Sequence, residues 1–361
     1  MIKVLIVEDS PVMQQLLAYT IGSDPELEVV GIAENGEEAI EAVKKLHPHI
    51  IAMDMHMPKL DGRQTTRIIM ETNPTPIVIV TGSSVGKEVA FSFSMVEAGA
   101  LAIIKKPPGV NHPNYKKNAH ELIQTLKLMS EVKLVRRIAH NAKVPAPNEP
   151  IIKKNIEAES EIQVIAIGAS TGGPMVLQKI LSGLPKNIPV PILIVQHISP
   201  GFTEGFVEWL KNTTHFPLQI ATNGEYMLPG HAYVAPDNFH MGVERGCRIK
   251  LSNHELENGL CPSVAYLFRT VAHVFGPRAI GVLLTGMGRD GAEELKTMKN
   301  NGAVTIAQDE DSSVVFGMPG EAIKLDAATH ILSPEDIITT LVALINEKNG
   351  DIYEKQRLQQ K

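Results

Sequence analysis

Residues 162–173 read IQVIAIGASTGG, and Pro174 and MVLQKILSGL follow. The apolar run predicts a strand, the glycines a tight turn, and Pro174 fits the first turn of a helix. Ser170 then stands on a strand-to-helix turn, beside free helix N–H groups and their partial positive charge. The spacing fits the Gly-x-Ser-x-Gly pattern of serine hydrolases. Taken alone, it fits a phosphate cradle or a plain turn equally well. A nucleophilic serine needs a base and an acid to orient that base. His197 ends the next predicted strand, in PILIVQHISPGFT, and Asp290 follows a third, in IGVLLTGMGRDG. Singly, such a histidine is more often structural and such an aspartate a helix cap. Together, after three parallel strands, they favour a functional site. The chain order Ser-His-Asp differs from the Ser-Asp-His order of the α/β-hydrolases and sets the chain apart from them.

A second constellation lies near the start. Glu8 and Asp9 follow the first predicted strand, Asp54 the third, Thr81 the fourth, and Lys106-Pro107 the fifth. In a parallel sheet these positions share the carboxyl edge, where ligand sites form. Three carboxylates brought together repel unless a hard cation lies between them, and Mg²⁺ takes oxygen ligands of this kind. A phosphoryl group arriving at one carboxylate would need the metal, a hydroxyl and a cation. Thr81 and Lys106 supply the last two, and Lys106 is preferred to Lys105 for its place beside Pro107.

The elements that must position these residues follow the same grammar twice. Strands are predicted at Val4–Val7, Val29–Ala33, Ile50–Met53, Ile77–Val80 and Ala102–Ile104, with helices such as Met13–Ile21 and Gly36–Leu46 between them. That alternation reads as a doubly wound parallel α/β sheet over residues 1–125. Residues 121–140 predict a helix running on past this domain, and the proline-bearing stretch to residue 160 a linker, so 126–160 is a helical extension and linker. A second α/β domain spans 161–348, with strands at Val164–Ile167, Pro191–Gln196, Ile280–Leu284 and Ala303–Ala307. The stretch HAYVAPDNFHMGVERGCRIKLS lacks a helical period and predicts an antiparallel hairpin turning at Glu-Arg-Gly. Residues 349–361 read as a polar, fraying tail. His231 and His240, nine apart with no cysteine or paired carboxylate, make a poor metal site.

Composition bounds the rest. The 361 residues are 43% apolar and 20% charged, with net charge −6, which gives no reason to expect nucleic acid or anionic membrane as a main partner. Two cysteines, Cys247 and Cys261, make no disulfide framework and fit a reducing cytoplasm. MIKVLIVEDS reads as a first strand and not a signal peptide, and no apolar run approaches the ~20 residues of a membrane span.

Glu8-Asp9-Ser10, Asp54-Met55-His56-Met57-Pro58, Thr81-Gly82 and Lys106-Pro107 resemble the receiver domains of two-component signalling. The resemblance covers residues 1–125. It implies a flavodoxin-like fold, with Asp54 accepting phosphate from a histidine kinase. It also implies that Glu8, Asp9, Asp54 and the His56 carbonyl serve Mg²⁺. Ile103 departs from it, standing where many receivers carry a mobile aromatic.

GASTGG, QHISPGFT, LPGHAYVAP, LLTGMGRDGA and IAQDEDSSVVFGMPGEA resemble the chemotaxis protein-glutamate methylesterase (CheB) family, in that family's order. The resemblance implies Ser170 as nucleophile, His197 as general base and Asp290 as its orienter. It further implies the Met287 N–H as oxyanion donor and Thr171 as a positioning group for the histidine. It makes methyl-accepting chemotaxis receptors the substrate and the chemotaxis kinase the phosphodonor. Glutamine deamidation is a plausible second activity, and ester hydrolysis needs no cofactor. Phosphate at Asp54 is expected to change what the second domain does. At Cys261–Ala265 the sequence lacks an Arg and an Asp that the family often carries, which puts substrate contacts there in doubt. The rival reading is a non-catalytic signalling protein, gated by phosphorylation, with an esterase-like domain.

Overall fold

The computed structural model describes residues 1–82, 86–132 and 161–359, with the backbone alone described for 86–88 and 347–359. The chain forms two compact units, Met1–Val144 and Pro145–Lys361.

The first unit alternates β1 (Ile2–Val7), α1 (Pro11–Gly22), β2 (Leu27–Ala33), α2 (Gly36–Leu46), β3 (Ile50–Met53), α3 (Gly62–Thr72), β4 (Ile77–Thr81), α4 (Gly86–Ala98), β5 (Ala102–Lys105) and α5 (Tyr115–Ser130). The five strands are parallel in the order β2-β1-β3-β4-β5. Central strands covered on both faces need no polar side, and Val4–Val7 and Ile50–Met53 are accordingly buried without alternation. The start of α2 is set by Asn35, whose side chain accepts from Glu38 N at 3.2 Å while the Glu38 carboxylate accepts from Glu34 N at 3.0 Å.

The second unit contains β6 (Val164–Ala169), α6 (Gly173–Gly183), β7 (Ile192–Gln196), α7 (Thr203–Thr214), β8 (Leu218–Ile220), β9 (Ala232–Val234), β10 (His240–Glu244), β11 (Arg248–Ser252), α8 (Val264–Phe275), β12 (Ala279–Leu283), α9 (Ala292–Asn300), β13 (Val304–Gln308), α10 (Met318–Lys324), β14 (His330–Leu332) and α11 (Pro334–Gln359). Seven strands form a parallel sheet in the order β14-β13-β12-β6-β7-β9-β8. From β6 the chain winds outward through β7 and then crosses back to β12 on the other side of β6. The strand order therefore reverses at β6, which opens a crevice beyond the carboxyl ends of β6, β7 and β12. Helix α8 packs on β6, β10 and α9, and its Leu267, Phe268 and Val271 belong to the main core of this unit.

The structure departs from the expectation at three places. The predicted hairpin divides: Ala232–Val234 joins the large sheet in parallel, and only His240–Ser252 is antiparallel. Pro236-Asp237-Asn238, with Asn238 in the left-handed region at φ 62°, breaks the stretch in two. The turn falls at Arg245-Gly246-Cys247, one residue later than expected, with both Gly246 and Cys247 at positive φ. The final helix continues to Gln359, through the segment read as a tail, where Glu354–Gln359 (EKQRLQ) is a run of good helix formers. Helix α5 begins at Tyr115, ahead of the expected residue 121, and the expected helical extension beyond Val132 lies outside the described residues. Among the described residues no helix is long and apolar enough to cross a membrane.

Candidate active site

Ser170, His197 and Asp290 stand at the carboxyl ends of β6, β7 and β12, around the crevice. β6 and β7 pair through Ala169 and Gln196, and His197 N donates to Ala169 O at 2.9 Å, so Ser170 and His197 are the next residues on neighbouring strands. Ser170 is held by its backbone: its N–H donates to Thr285 O at 3.0 Å, and Gly173 N closes the turn onto Ser170 O at 2.8 Å. His197 Nε2 meets Asp290 Oδ2 at 2.9 Å. An ionised carboxylate only accepts, so the ring nitrogen facing it carries the proton and Nδ1 keeps the basic lone pair.

Asp290 is only 3% exposed, so its charge needs compensation beyond the imidazole. The first turn of α8 supplies it. Val264 N donates to Oδ2 at 2.7 Å, Ala265 N to Oδ1 at 3.2 Å, and Ser263 Oγ lies 3.3 Å from Oδ1. The carboxylate thus caps a helix N-terminus, where unpaired N–H groups and the helix dipole favour negative charge. Burial works to raise its pKa, but hydrogen bonding and charge from His197, with the two backbone donors, outweigh burial and hold the carboxyl below the usual range. Val264 must come close for this contact. A Cβ on Gly168 would lie 2.3 Å, and one on Gly291 2.4 Å, from its Cγ1, so a glycine near the end of β6 and one at the start of α9 make room for the helix.

The loop after β12 forms the third wall. Thr285 is fully buried and joined on every side: its N–H donates to Gln308 Oε1 at 2.8 Å, and its Oγ1 donates to Thr171 O at 2.9 Å and accepts from Val315 N at 3.0 Å. Gly286 then passes so close to Ser170 that a Cβ there would stand 2.6 Å from the serine Cβ. The next residue, Met287, is 52% exposed, and among the described residues its backbone N–H has no partner. Thr171 is fastened through its carbonyl, and no hydrogen bond runs from its hydroxyl to His197 among the described residues.

Residue type carried no signal for several of these neighbours. Ser263, Val264 and Ala265 act mainly through backbone or cap positions, and Thr285 and Gln308 through buried hydrogen bonds. The Cys261–Ala265 departure leaves Asp290 supported, since the donor at Ala265 is its main chain. Ala265 also lines a polar cavity of about 270 Å³, with Glu257, Asn258, Arg269, Arg289, Glu293 and Glu294. His231 and His240 are not brought together: His231 Nδ1 lies 3.0 Å from Pro229 O, while buried His240 reaches Glu255 O at 3.1 Å and stacks on Tyr266.

In the first unit, the edge of the sheet gathers Glu8, Asp9 and Asp54, which offer oxygens within 4.8 Å of one another. Lys106 Nζ lies 2.8 Å from Glu8 Oε2 and 2.9 Å from Asp54 Oδ2. Burial and the nearby Asp54 charge push the Glu8 carboxyl up, against the lowering effect of Lys106. Burial alone would lower the Lys106 pKa, but its two acidic partners outweigh that and raise it. Asp54 Oδ1 accepts from Met55 N at 2.7 Å, which leaves its second oxygen toward Lys106. Thr81 is buried at the end of β4, and its carbonyl accepts from Lys106 N at 2.8 Å. His56 is exposed and stacks on Phe91. The three oxygen donors, two buried and one exposed, suit a hard cation.

The "CheB methylesterase" family model matches residues 165–341, and the "Response regulator receiver domain" model matches residues 4–112. A protein-glutamate methylesterase/protein-glutamine glutaminase of Syntrophus aciditrophicus is 53% identical over 95% of this chain and 98% of its own length. The chain belongs to the CheB methylesterase family. A second relative, from Nitrosospira multiformis and of the same name, is 51% identical over 96% of this chain and 98% of its own. The methylesterase catalytic domain of Thermotoga maritima CheB is 36% identical, covering 51% of this chain and all of that one, with TM-score 0.49. By the two family models the chain carries both a receiver domain and a CheB methylesterase domain.

The Asp290 environment has a pH signature. A carboxyl held below its unfolded pKa adds stability above that unfolded value, and the contribution is lost as pH falls through the folded pKa. Asp290→Asn is expected to destabilise the second unit by about 2 kcal/mol near neutral pH, since it weakens hydrogen bonds to a charged group. The difference from wild type should shrink as pH drops through and below the ordinary carboxylate range. Urea unfolding followed by Trp209, the only tryptophan and buried in the second unit, measures both.

Proposed function

We propose that Ser170, His197 and Asp290 hydrolyse glutamate γ-methyl esters on methyl-accepting chemotaxis receptors, under the control of phosphate at Asp54. The observation that carries this reading is the His197–Asp290 hydrogen bond, at the crevice edge that also holds Ser170. Ser170 Oγ attacks the ester carbonyl as His197 Nδ1 takes its proton. Negative charge moves to the carbonyl oxygen, and the N–H of Met287 is the donor placed to meet it. The tetrahedral intermediate collapses, the proton on His197 passes to the leaving oxygen, and methanol departs. Water, deprotonated by the same imidazole, attacks the acyl-serine. The glutamate carboxylate is released and Ser170 regains its proton. Asp290 keeps its charge throughout, and α8 keeps it fixed. Thr171 holds the turn that carries Ser170.

The same steps on a glutamine side chain expel ammonia in place of methanol, which makes deamidation the second activity. The proton transfers use side chains and water only, so hydrolysis calls for no cofactor. The substrate's methylated segments are cytoplasmic in this reading, and so is the enzyme.

In the receiver domain, Asp54 accepts a phosphoryl group from the chemotaxis histidine kinase. Glu8, Asp9, Asp54 and the His56 carbonyl would hold Mg²⁺, which supplies positive charge to the phosphoryl oxygens when bound. Lys106, already paired with Asp54, stays beside the modified side chain as a second cation. The Thr81 hydroxyl is the donor assigned to a phosphoryl oxygen. Ile103, half-buried on β5, takes the place of a switching aromatic, so the response to phosphate must run through Thr81 and Lys106.

Methanol release from a methylated receptor tests the esterase. Ser170→Ala is expected to lower kcat at least about a thousandfold, His197→Ala by a similar factor, and Asp290→Asn by less, because groups that act as a unit fail together. Ser170→Ala with wild-type kcat would overturn the assignment, and so would a protein that binds receptor without releasing methanol. For the receiver, a small phosphodonor with Mg²⁺ should label the wild type and leave Asp54→Asn unlabelled. Phosphate recovered on a histidine or serine would contradict Asp54 as acceptor.

A further inference from the structure

The backbone ladder between β6 and β7 ends with the bond from His197 N to Ala169 O. Beyond it the two chains part into separate turns, carrying Ser170 and His197 with them. One side chain spans the gap. Gln196 Nε2 donates to Ser170 O at 2.8 Å and to His197 O at 2.8 Å. A single NH₂ group thus grips the main chain of both residues, and it needs both of its protons to do so.

The other half of this amide is unsatisfied. Gln196 is 4% exposed, and Oε1 is buried with no hydrogen-bond partner among the described residues. It lies against Gly173, where a Cβ would come within 2.3 Å of it. An orphaned buried acceptor is destabilising, and the preceding residues of β7, Ile192–Val195, are apolar. An apolar side chain of similar length would fill the same space without that penalty. Packing alone therefore does not account for a glutamine here, whereas two carbonyls that need a common donor do.

We infer that Gln196 is a positioning residue for ester hydrolysis, its side-chain amide serving as an added rung that fixes Ser170 relative to His197. The inference rests on the proposed roles of those two residues. Ser170 and His197 sit on different strands, and proton transfer between them is sensitive to spacing: a misplacement of about 1 Å costs about a hundredfold in rate. The Ser170 O, gripped by Gln196, also accepts from Gly173 N, so a single acceptor ties the serine to both β7 and α6.

The test uses full-length protein and methanol release from methylated receptor, with Gln196→Met and Gln196→Glu beside the wild type. Met keeps the length and removes both the donors and the orphaned oxygen. Glu keeps the shape and presents acceptors to two carbonyls. For Gln196→Met, kcat is expected to fall about 10–100-fold with KM within about twofold, while the urea midpoint read from Trp209 holds or rises. Gln196→Glu should also lose kcat. A folded Gln196→Met with kcat within about twofold of wild type would overturn the inference, as would a loss confined to KM. Unfolding of both variants would also overturn it, by making Gln196 a structural residue. A wild type that releases no methanol would instead sink the esterase reading itself.

Discussion

A buried negative charge organises the second unit. Asp290 is almost sealed from water, and a bare carboxylate there would be prohibitively costly. Its tolerance depends on donors from two other parts of the chain: the imidazole of His197 after β7, and the first turn of α8. Each donor imposes a demand on the sequence. Helix α8 must begin at Val264, which the Ser263 cap enforces by accepting from Tyr266 N at 3.2 Å. The helix must come close, which small residues at Gly168 and Gly291 permit. The imidazole must point inward, toward Asp290. One electrostatic requirement thus joins β6, β7, β12 and α8 at the place where the strand order reverses.

The receiver domain solves a related problem with opposite means. Glu8 and Asp54 are also buried acids at the carboxyl edge of a parallel sheet, and each accepts a backbone N–H, from Ser10 and Met55. A side-chain cation supplies the rest, through the two Lys106 ion pairs. A charge fixed by backbone donors suits the role proposed for Asp290, which is to hold a ring still through every turnover. A charge met by a lysine suits the phosphorylation proposed for Asp54, since the lysine can remain beside the side chain in both states.

Legibility of the sequence followed the same physics. β3 and α2 appear with the bounds read from sequence, because buried parallel strands are continuous apolar runs and α2 carries a clear cap and amphipathic period. Three-residue strands such as β8 and β14 carry too little pattern to be seen, and the hairpin was misdivided because a Pro-Asp-Asn break resembles any loop inside an extended stretch. At the candidate site, Ser170, His197 and Asp290 stand out in the sequence because the chemistry proposed for them belongs to side-chain type. The support for Asp290 was not, since two of its donors are main-chain N–H groups that any residue supplies. For the same reason the loss of the usual Asp at Ala265 leaves the support of Asp290 in place. Likeness gives Thr171 a part in positioning the histidine, while the structure adds a hydrogen bond from Thr285 to the Thr171 carbonyl.

The central claim is that Asp290 holds His197 with Nε2–H toward the carboxylate and Nδ1 free to accept the serine proton. Nitrogen-15 NMR of histidine-labelled protein reads this directly, at a pH where the ring is neutral. The expected result is a His197 ring protonated on Nε2 and bare on Nδ1, with the Nε2–H signal lost or strongly shifted in Asp290→Asn. A ring protonated on Nδ1, or one indifferent to that substitution, would contradict it.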